Sequence, residues 1–221
     1  PVCLSACGKE GPDVGGHPGA DVGVQIETIK IWRRLNALGM PRIVFVNKME
    51  RENANFQRVV EEIAASFHLP AVPIHLPIGS QADFQGVVDL LKQKAYLGDK
   101  GTEKAIPASM ADAVEEARMV LVEAAAEGED VLMEKYFESE TLADDEILRG
   151  LKARIKRGDL VPVLCGSAAM NVGIQALMQT IVELLPSPVA AGPYRATNLA
   201  SNEDVELAGD TGSELAVLVF K

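Results

Sequence analysis

The sequence predicts an α/β protein built on a parallel sheet, with an α+β, largely helical subdomain inserted into it. Apolar, β-branched runs alternate along the chain with segments of helical periodicity, an order typical of parallel strands joined by crossover helices. The runs at 43–46 and 160–165 are almost wholly apolar, which indicates strands buried on both faces. Residues 70–159 separate the last two strand–helix units, so we expect the insertion there.

The chain begins with a predicted strand, a loop and a helix. Residues 1–6 form a short apolar run typical of a buried strand, and the glycine-rich residues 8–23 predict a loop. Helical spacing follows over 25–38. Its expected inward positions are Ile26, Ile29, Trp32, Leu35 and Leu38.

The strand at 43–46 precedes a second amphipathic helix. Apolar residues recur at helical spacing over 56–67, and Asn53 or Asn55 could cap this helix. The alternating pattern of residues 71–79 predicts a single strand. Two internal prolines exclude a central position in a sheet, so we expect an edge strand.

The charge of the protein is concentrated in one block. The net charge is -11, and residues 112–149 hold 13 acidic and three basic side chains. The rest of the chain, with 19 acidic and 18 basic residues, is nearly neutral, so the block is expected to belong to a separate module. Helices are predicted there over 107–126, 131–137 and 144–156.

The C-terminal part contains one more predicted strand and helix of the core, followed by a predicted linker. After the strand at 160–165, a helix is expected over 172–185, with Ile174, Leu177, Met178, Ile181 and Leu184 inward. Residues 189–213 have the composition of a linker, and 214–221 predict one strand. A lone strand is unstable, so we expect the chain to be a fragment that stops at the start of another domain.

Composition excludes several classes of protein. The acidic balance argues against a generally basic nucleic-acid-binding surface, and no apolar run approaches the roughly 18 residues of a membrane span. Cys3, Cys7 and Cys165 are too few and too widely spaced for a disulfide framework, which favours a reducing cytoplasm. The three histidines form no zinc-ligand pattern, so no metal site is expected.

Two short polar turns follow the buried strands, where ligands of open α/β sheets bind. Asn47 and Lys48 begin the first turn, which nearly matches the guanine-recognition motif NKxD with Glu50 at its acidic position. Ser167 and Ala168 lie in the second. An acidic side chain accepts from both N1–H and N2–H of guanine, and adenine lacks that donor pair. The Lys stem can cover the base, Asn can tie the turns together, and the N–H of Ala168 can meet the base carbonyl. Alternatively, Asn47 and Lys48 are merely polar turn residues.

Seven blocks of the sequence, in order, resemble translation elongation factor G. They are Pro41–Met49, Leu76–Gly79, Phe84–Leu90, Leu132–Tyr136, Cys165–Ala168, Leu185–Pro188 and Leu218–Lys221. The resemblance implies a translational GTPase that moves tRNA and mRNA through the ribosome using GTP with Mg²⁺. It further implies a cytoplasmic protein whose partner is the ribosome.

The resemblance also implies a division of the chain. Residues 1–69 and 160–186 would form the C-terminal half of a P-loop GTPase-type domain whose N-terminal half is missing. Residues 70–159 would be the inserted acidic subdomain, which in the family faces the stalk proteins of the large ribosomal subunit. Residues 187–221 would hold a linker and the first strand of a β-barrel domain. A solvated acidic face remains the alternative for the insert.

The chain departs from the family at several positions. No GxxxxGK[ST] phosphate loop is present, and Gly8–Glu10 lacks its spacing and hydroxyl. The chain as given therefore contains no catalytic residue and should not hydrolyse GTP. Asp13–Gly16 fits DxxG but follows the first strand, so we interpret it as an ordinary loop. Glu50 replaces the family's Asp, and Met170 replaces a usual Lys, which indicates a divergent relative.

Three hypotheses follow from the sequence. The first is a fragment of an elongation factor G-like translocase. The second is a ribosomal protection or recycling GTPase, which shares the same domain. The third, motivated by Glu50, Met170 and the absent phosphate loop, is a degenerate binding module that does not hydrolyse nucleotide.

Overall fold

A computed structural model describes residues 2–6 (backbone only), 23–198, 202–209 and 212. The predictions for residues 8–20 and for the strand at 214–221 lie outside the described residues. The chain forms two compact units, Pro1–Leu185 and Pro186–Lys221.

The first unit is built on a four-stranded parallel sheet. Its strands, in spatial order, are β1 (Val2–Ala6), β2 (Arg42–Val46), β8 (Val161–Cys165) and β3 (Ala71–Pro73). Every residue of β2 and β8 is buried, as the apolar runs at 43–46 and 160–165 predict, and Arg42 at the start of β2 is buried as well. Together with the helices and the insertion described below, this confirms the predicted fold class, an α/β protein with a parallel sheet and an inserted subdomain.

Helices α1 (Ile26–Ala37) and α2 (Phe56–Phe67) connect the first three strands in sequence. Asn55, one of the two predicted caps, accepts the N–H of Arg58 at 3.0 Å. Helix α1 buries Trp32 and Leu35, but Ile26 and Leu38 are exposed. Their predicted inward placement was wrong: the buried residues of α1 lie in its middle, where Trp32 stacks on Phe67 of α2 with ring centroids 3.8 Å apart.

Residues 71–79 form two strands in different sheets and not the single edge strand predicted. The chain leaves β3 at Pro73 and enters β4 (His75–Ile78) after Ile74. The prolines interrupt the ladders of these short strands, and the sequence pattern alone does not reveal the change of sheet. The insertion therefore begins after Pro73, because residues 71–73 pair with β8 in the parallel sheet.

The insertion contains a four-stranded antiparallel sheet, β4-β5-β6-β7, that the sequence analysis did not predict. Its remaining strands are β5 (Gly86–Asp89), β6 (Lys94–Leu97) and β7 (Thr102–Lys104). The three predicted helices of the acidic block are present as α3 (Ala111–Ala126), α4 (Asp130–Ser139) and α5 (Asp144–Arg157).

The insertion and the parallel sheet share their hydrophobic core, so the acidic block is no separate module. One buried cluster joins Ile43 and Phe45 of β2 to Leu121 and Ile147 of the insert helices. Helix α6 (Ile174–Leu184) follows β8 and closes the unit. Met178 is exposed on α6 against expectation, whereas Thr180 is fully buried.

The second unit contains a short helix and a hairpin. Helix α7 (Pro188–Ala191) precedes β9 (Tyr194–Thr197), which pairs antiparallel with β10 (Asp204–Leu207). The sequence analysis interpreted these residues as a linker. Across the described part of the chain, no helix combines the length and apolar character needed to span a membrane.

Candidate functional site

The two polar turns lie side by side at one edge of the parallel sheet. Strands β2 and β8 are neighbours in parallel register, with Val46 opposite Cys165, so both turns begin at the same level. The N–H of Gly166 donates to the Val46 carbonyl at 3.0 Å, and the N–H of Met49 donates to the Gly166 carbonyl at 3.3 Å. The backbone thus continues the pairing of the strands into the turns.

Asn47 is the side chain that joins the turns. Its Oδ1 accepts the N–H of Lys48 at 2.8 Å and the N–H of Ala168 at 2.9 Å. The predicted tie between the two turns is therefore present. Since Oδ1 faces these two donors, the amide nitrogen of Asn47 is the end available to donate to a ligand.

Lys48 adopts a left-handed backbone conformation with φ of 65°. Such a conformation is uncommon for a residue with a β-carbon and is maintained by the surrounding structure. Here the N–H of Arg51 donates to the Lys48 carbonyl at 3.1 Å, which closes a tight turn. The half-buried Lys48 side chain starts from this turn, beside Asn47.

Glu50 contributes an unsatisfied acceptor. The residue is half-buried, and among the described residues its Oε2 atom is buried without a hydrogen-bond partner. A buried polar atom with no partner costs free energy that a donor from a ligand would recover. The Glu50 carboxylate can therefore accept hydrogen bonds from a ligand that carries N–H donors.

Ser167 and Ala168 occupy different positions in the second turn. Ser167 is fully buried, and its hydroxyl oxygen accepts the N–H of Met170 at 3.2 Å. Its backbone forms a bridge with Val172, so Ser167 shapes the turn from inside. Ala168 is exposed, and its N–H, predicted to meet the base carbonyl, donates to Asn47. A base carbonyl would share this N–H as a second acceptor.

The backbone packs closely beneath the turns, which the sequence pattern did not predict. A β-carbon on Gly166 would lie 2.7 Å from both the Phe45 ring and the Val172 carbonyl oxygen. On Gly173, with φ of 79°, it would lie 2.9 Å from the Cys165 carbonyl. The glycines flanking the second turn were the available signal, because glycine permits such close approach of backbones.

The insert contacts both turns, which the sequence did not indicate. The N–H of Gln81 donates to the Met49 carbonyl at 3.1 Å. Asn171 donates through its Nδ2 atom to the Asp99 carbonyl at 2.8 Å. Two loops of the insert, 79–84 and 98–101, therefore border the site.

A buried polar cluster joins the insert sheet to α6. The Thr180 hydroxyl donates to the Ala176 carbonyl at 3.0 Å, so it accepts from His75 Nε2 at 3.1 Å. Burial, followed by repulsion from Lys92, lowers the pKa of His75 to about 3. The imidazole is therefore neutral at physiological pH. Burial also raises the pKa of Asp89, whose Oδ1 nevertheless accepts two backbone N–H groups.

Comparison with known proteins places the site in a family. Residues 19–187 match the model described as the elongation factor Tu GTP-binding domain, a span that contains both turns and the insertion. A crystal structure of the protein ttk003000868 from Thermus thermophilus is similar, with a TM-score of 0.71 and 28% identity. The match covers 86% of this chain but only 27% of that protein.

The family match covers more than half of the sequence, and the structural match has the same fold. Such domains bind guanine nucleotides, in agreement with the paired turns at the carboxyl edge of the sheet. The chain belongs to the family of the elongation factor Tu GTP-binding domain.

Proposed function

We propose that the chain recognises the guanine base of GTP or GDP within a translational GTPase of the elongation factor G type. The observation that carries this proposal is the 2.9 Å hydrogen bond from the Ala168 N–H to Asn47 Oδ1. It joins the Asn47 side chain of one turn to the backbone of the other, next to the backbone bond from the Met49 N–H to the Gly166 carbonyl. A base bound between them would contact both strands' ends, where ligands of open α/β sheets bind.

Each polar group at the site has a complement on guanine. Glu50 would accept from N1–H and N2–H, and the amide nitrogen of Asn47 would donate to the ring acceptor N7. Ala168 would donate to the carbonyl oxygen, and the Lys48 stem would cover the ring. Adenine presents no such donor pair to Glu50 and would leave the carboxylate unpaired, which discriminates against it.

The phosphates and Mg²⁺ would be held by residues other than these. The sequence contains no GxxxxGK[ST] loop, and phosphate and metal contacts supply much of the binding energy in such domains. We therefore expect this chain to bind guanine nucleotides weakly and not to hydrolyse GTP. In a longer protein of the kind it matches, hydrolysis would drive work on the ribosome in the cytoplasm.

The experiment uses GMP and AMP with the 221-residue chain, because monophosphates test base recognition without a phosphate loop. Titration followed by NMR should show millimolar GMP binding, with shifts at Asn47 and Ala168, and weaker AMP binding. Glu50→Ala should abolish the preference for GMP over AMP. Glu50→Asp, which restores the family's residue, should retain or increase it. Equal binding of GMP and AMP by the wild-type chain would refute the proposal.

The divergent residues favour a second candidate, a guanine-binding module that does not hydrolyse nucleotide. Glu50 lengthens the acidic side chain, and Met170 removes a positive charge near the site. Coding sequence upstream of Pro1 distinguishes the two, because an intact phosphate loop there would reject this candidate. Translocase and ribosomal protection or recycling factors share this domain, so ribosome-dependent assays of the complete protein separate those two.

The acidic insert is the proposed partner surface, directed at stalk proteins of the large ribosomal subunit. Its first two helices expose many carboxylates that form no ion pair among the described residues; they include Asp112, Glu115, Glu116, Glu123, Asp130, Glu134 and Glu138. A cavity of about 690 Å³ lies beside them, with exposed Met119 and Phe137 in its lining. Acidic rims around apolar surface suit a basic partner with apolar anchors.

Charge reversal tests this partner. Glu115→Lys combined with Glu116→Lys should weaken binding to purified stalk proteins several-fold, with a loss that shrinks at high salt. Glu203→Lys, in the second unit, makes the same kind of charge change away from the insert and should leave binding unchanged. Equal affinity of the insert double variant and wild type would show that the acidic face is merely solvated.

A further inference from the structure

The two turns lie in a chain of hydrogen bonds that starts and ends in the insert. From one side, the N–H of Gln81 reaches the Met49 carbonyl at 3.1 Å. Asn47 then connects to Ala168 at 2.9 Å. From the other side, Asn171 reaches the Asp99 carbonyl at 2.8 Å. The insert therefore contacts the site at both turns.

The second turn is otherwise closed on itself. Ser167 and Val172 exchange two backbone hydrogen bonds, at 2.9 and 3.0 Å, and the N–H of Asn171 donates to the Ala168 carbonyl at 3.3 Å. Within the described residues, the side-chain bond of Asn171 is the one hydrogen bond recorded between this exposed turn and the insert. It therefore restrains where Ala168 lies.

The insert loop that accepts the hydrogen bond from Asn171 is itself hydrogen-bonded to the rest of the insert. The N–H of Gly101 donates to the Gly98 carbonyl at 3.2 Å, and the N–H of Gly98 donates to the Gln85 carbonyl at 2.9 Å. A β-carbon on Gly101 would lie 2.6 Å from the Gln175 side chain at the start of α6. The two backbone bonds restrain the loop on either side of Asp99, whose carbonyl is the acceptor.

We propose that Asn171 is a positioning residue, which uses the insert loop 98–101 as a support to hold the Ala168 N–H in the geometry that reads a base. The role rests on the proposed guanine recognition and assigns the insert a part in it. Asn171 itself adopts the left-handed region, with φ of 58°, where asparagine and glycine are favoured. The left-handed backbone of Asn171 thus shapes the turn, and its side-chain amide bonds to the insert loop.

Asn171→Gly isolates the side-chain bond, because glycine retains the left-handed backbone without strain. The control is Asn202→Gly, since Asn202 has φ of 56° and lies in the second unit. The first measurement is hydrogen exchange of the Ala168 N–H in the ligand-free chain, followed by NMR. We expect exchange about two- to fivefold faster in Asn171→Gly, the loss typical of one exposed hydrogen bond, and unchanged in the control.

The second measurement is GMP affinity against AMP affinity. Asn171→Gly should weaken GMP binding by a similar factor, about two- to fivefold, while AMP binding changes less. Asn171→Asp, which replaces the donor by an acceptor facing a carbonyl, should act in the same direction. Unchanged exchange of Ala168 in both variants would overturn the positioning role.

The two measurements can refute the guanine proposal and the positioning role separately. If wild type shows no preference for GMP, the proposed function is refuted, and the exchange rate of Ala168 still decides whether Asn171 positions the turn. If wild type prefers GMP but both Asn171 variants bind it as tightly as wild type, the guanine proposal stands and the positioning role is refuted.

Discussion

Replacing Gly166 by alanine should damage both the fold and the candidate base site. The added β-carbon would lie 2.7 Å from the Val172 carbonyl oxygen and 2.7 Å from the Phe45 ring. Ordinary contact starts near 3.4 Å, so the turn must shift by about 0.7 Å. A ring can rotate, but the carbonyl belongs to the Ser167–Val172 bridge and cannot move without breaking it.

The magnitude follows from two opposing effects. Overpacking of this kind costs about 1–3 kcal/mol, whereas alanine gains about 0.4–1 kcal/mol by restricting the unfolded chain. We expect a net loss of about 1–2 kcal/mol, or a fall in Tm of roughly 2–8 °C for a protein of this size. Since the Ala168 N–H lies 2.9 Å from Asn47 Oδ1, the same shift would break that bond.

The assay combines thermal unfolding by circular dichroism with the GMP titration. Gly39→Ala is the control, because Gly39 has φ of 59° and open space around it. Left-handed strain should destabilise that variant by about 1 kcal/mol without changing GMP affinity. The reasoning is refuted if Gly166→Ala melts at or above the wild-type temperature, or binds GMP as wild type does.

Three further predictions concern stability. Gly150→Ala should lower Tm even though alanine favours a helix by about 1 kcal/mol, because its β-carbon would lie 2.0 Å from the Ala125 carbonyl oxygen; a raised Tm would contradict this. Asn55→Ala should cost about 1 kcal/mol through loss of the α2 cap, whereas Asn53→Gly, which retains the left-handed backbone of that residue (φ of 65°), should cost less in the same denaturant titration. Because the pKa of folded His75 is about 3 against its ordinary 6.5, the unfolded state binds the proton first. Wild type should therefore lose up to about 1.4 kcal/mol per pH unit as pH falls from 6.5 towards 3, and a His75→Gln variant with the same pH slope would refute this.

The sequence predicts the parallel strands and their helices well, because strands buried on both faces have almost continuous apolar sequences. The runs of β2 and β8 are apolar almost throughout, and α2 shows its buried stripe at helical spacing. The strands β5, β6 and β7 are short and lie between turns, so their pattern is too brief to separate from loop. The pairing of the turns at Asn47 and Ala168 is also predictable from the sequence, because each polar turn directly follows a buried strand.

The contacts that position the site are not readable in the same way. Gln81 and Asn171 act through a backbone N–H and through a bond to a backbone carbonyl, and any residue type could supply those partners. The exposure of Met178 and the burial of Thr180 likewise depend on the tertiary neighbours of α6. Periodicity identifies a face of a helix, whereas the neighbours of α6 in the folded chain, His75 beside Thr180 among them, determine which residues are covered.

Ile74 belongs to both sheets of the first unit. Its N–H donates to Val163 in the parallel sheet at 2.8 Å, and its carbonyl accepts from Leu90, next to β5, at 2.9 Å. One fully buried residue thus connects the two sheets through its backbone N–H and carbonyl groups. A force applied to the acidic subdomain would therefore reach β8, the strand that leads into the second polar turn, and excising that subdomain from Ile74 onward would remove a hydrogen-bond donor to β8.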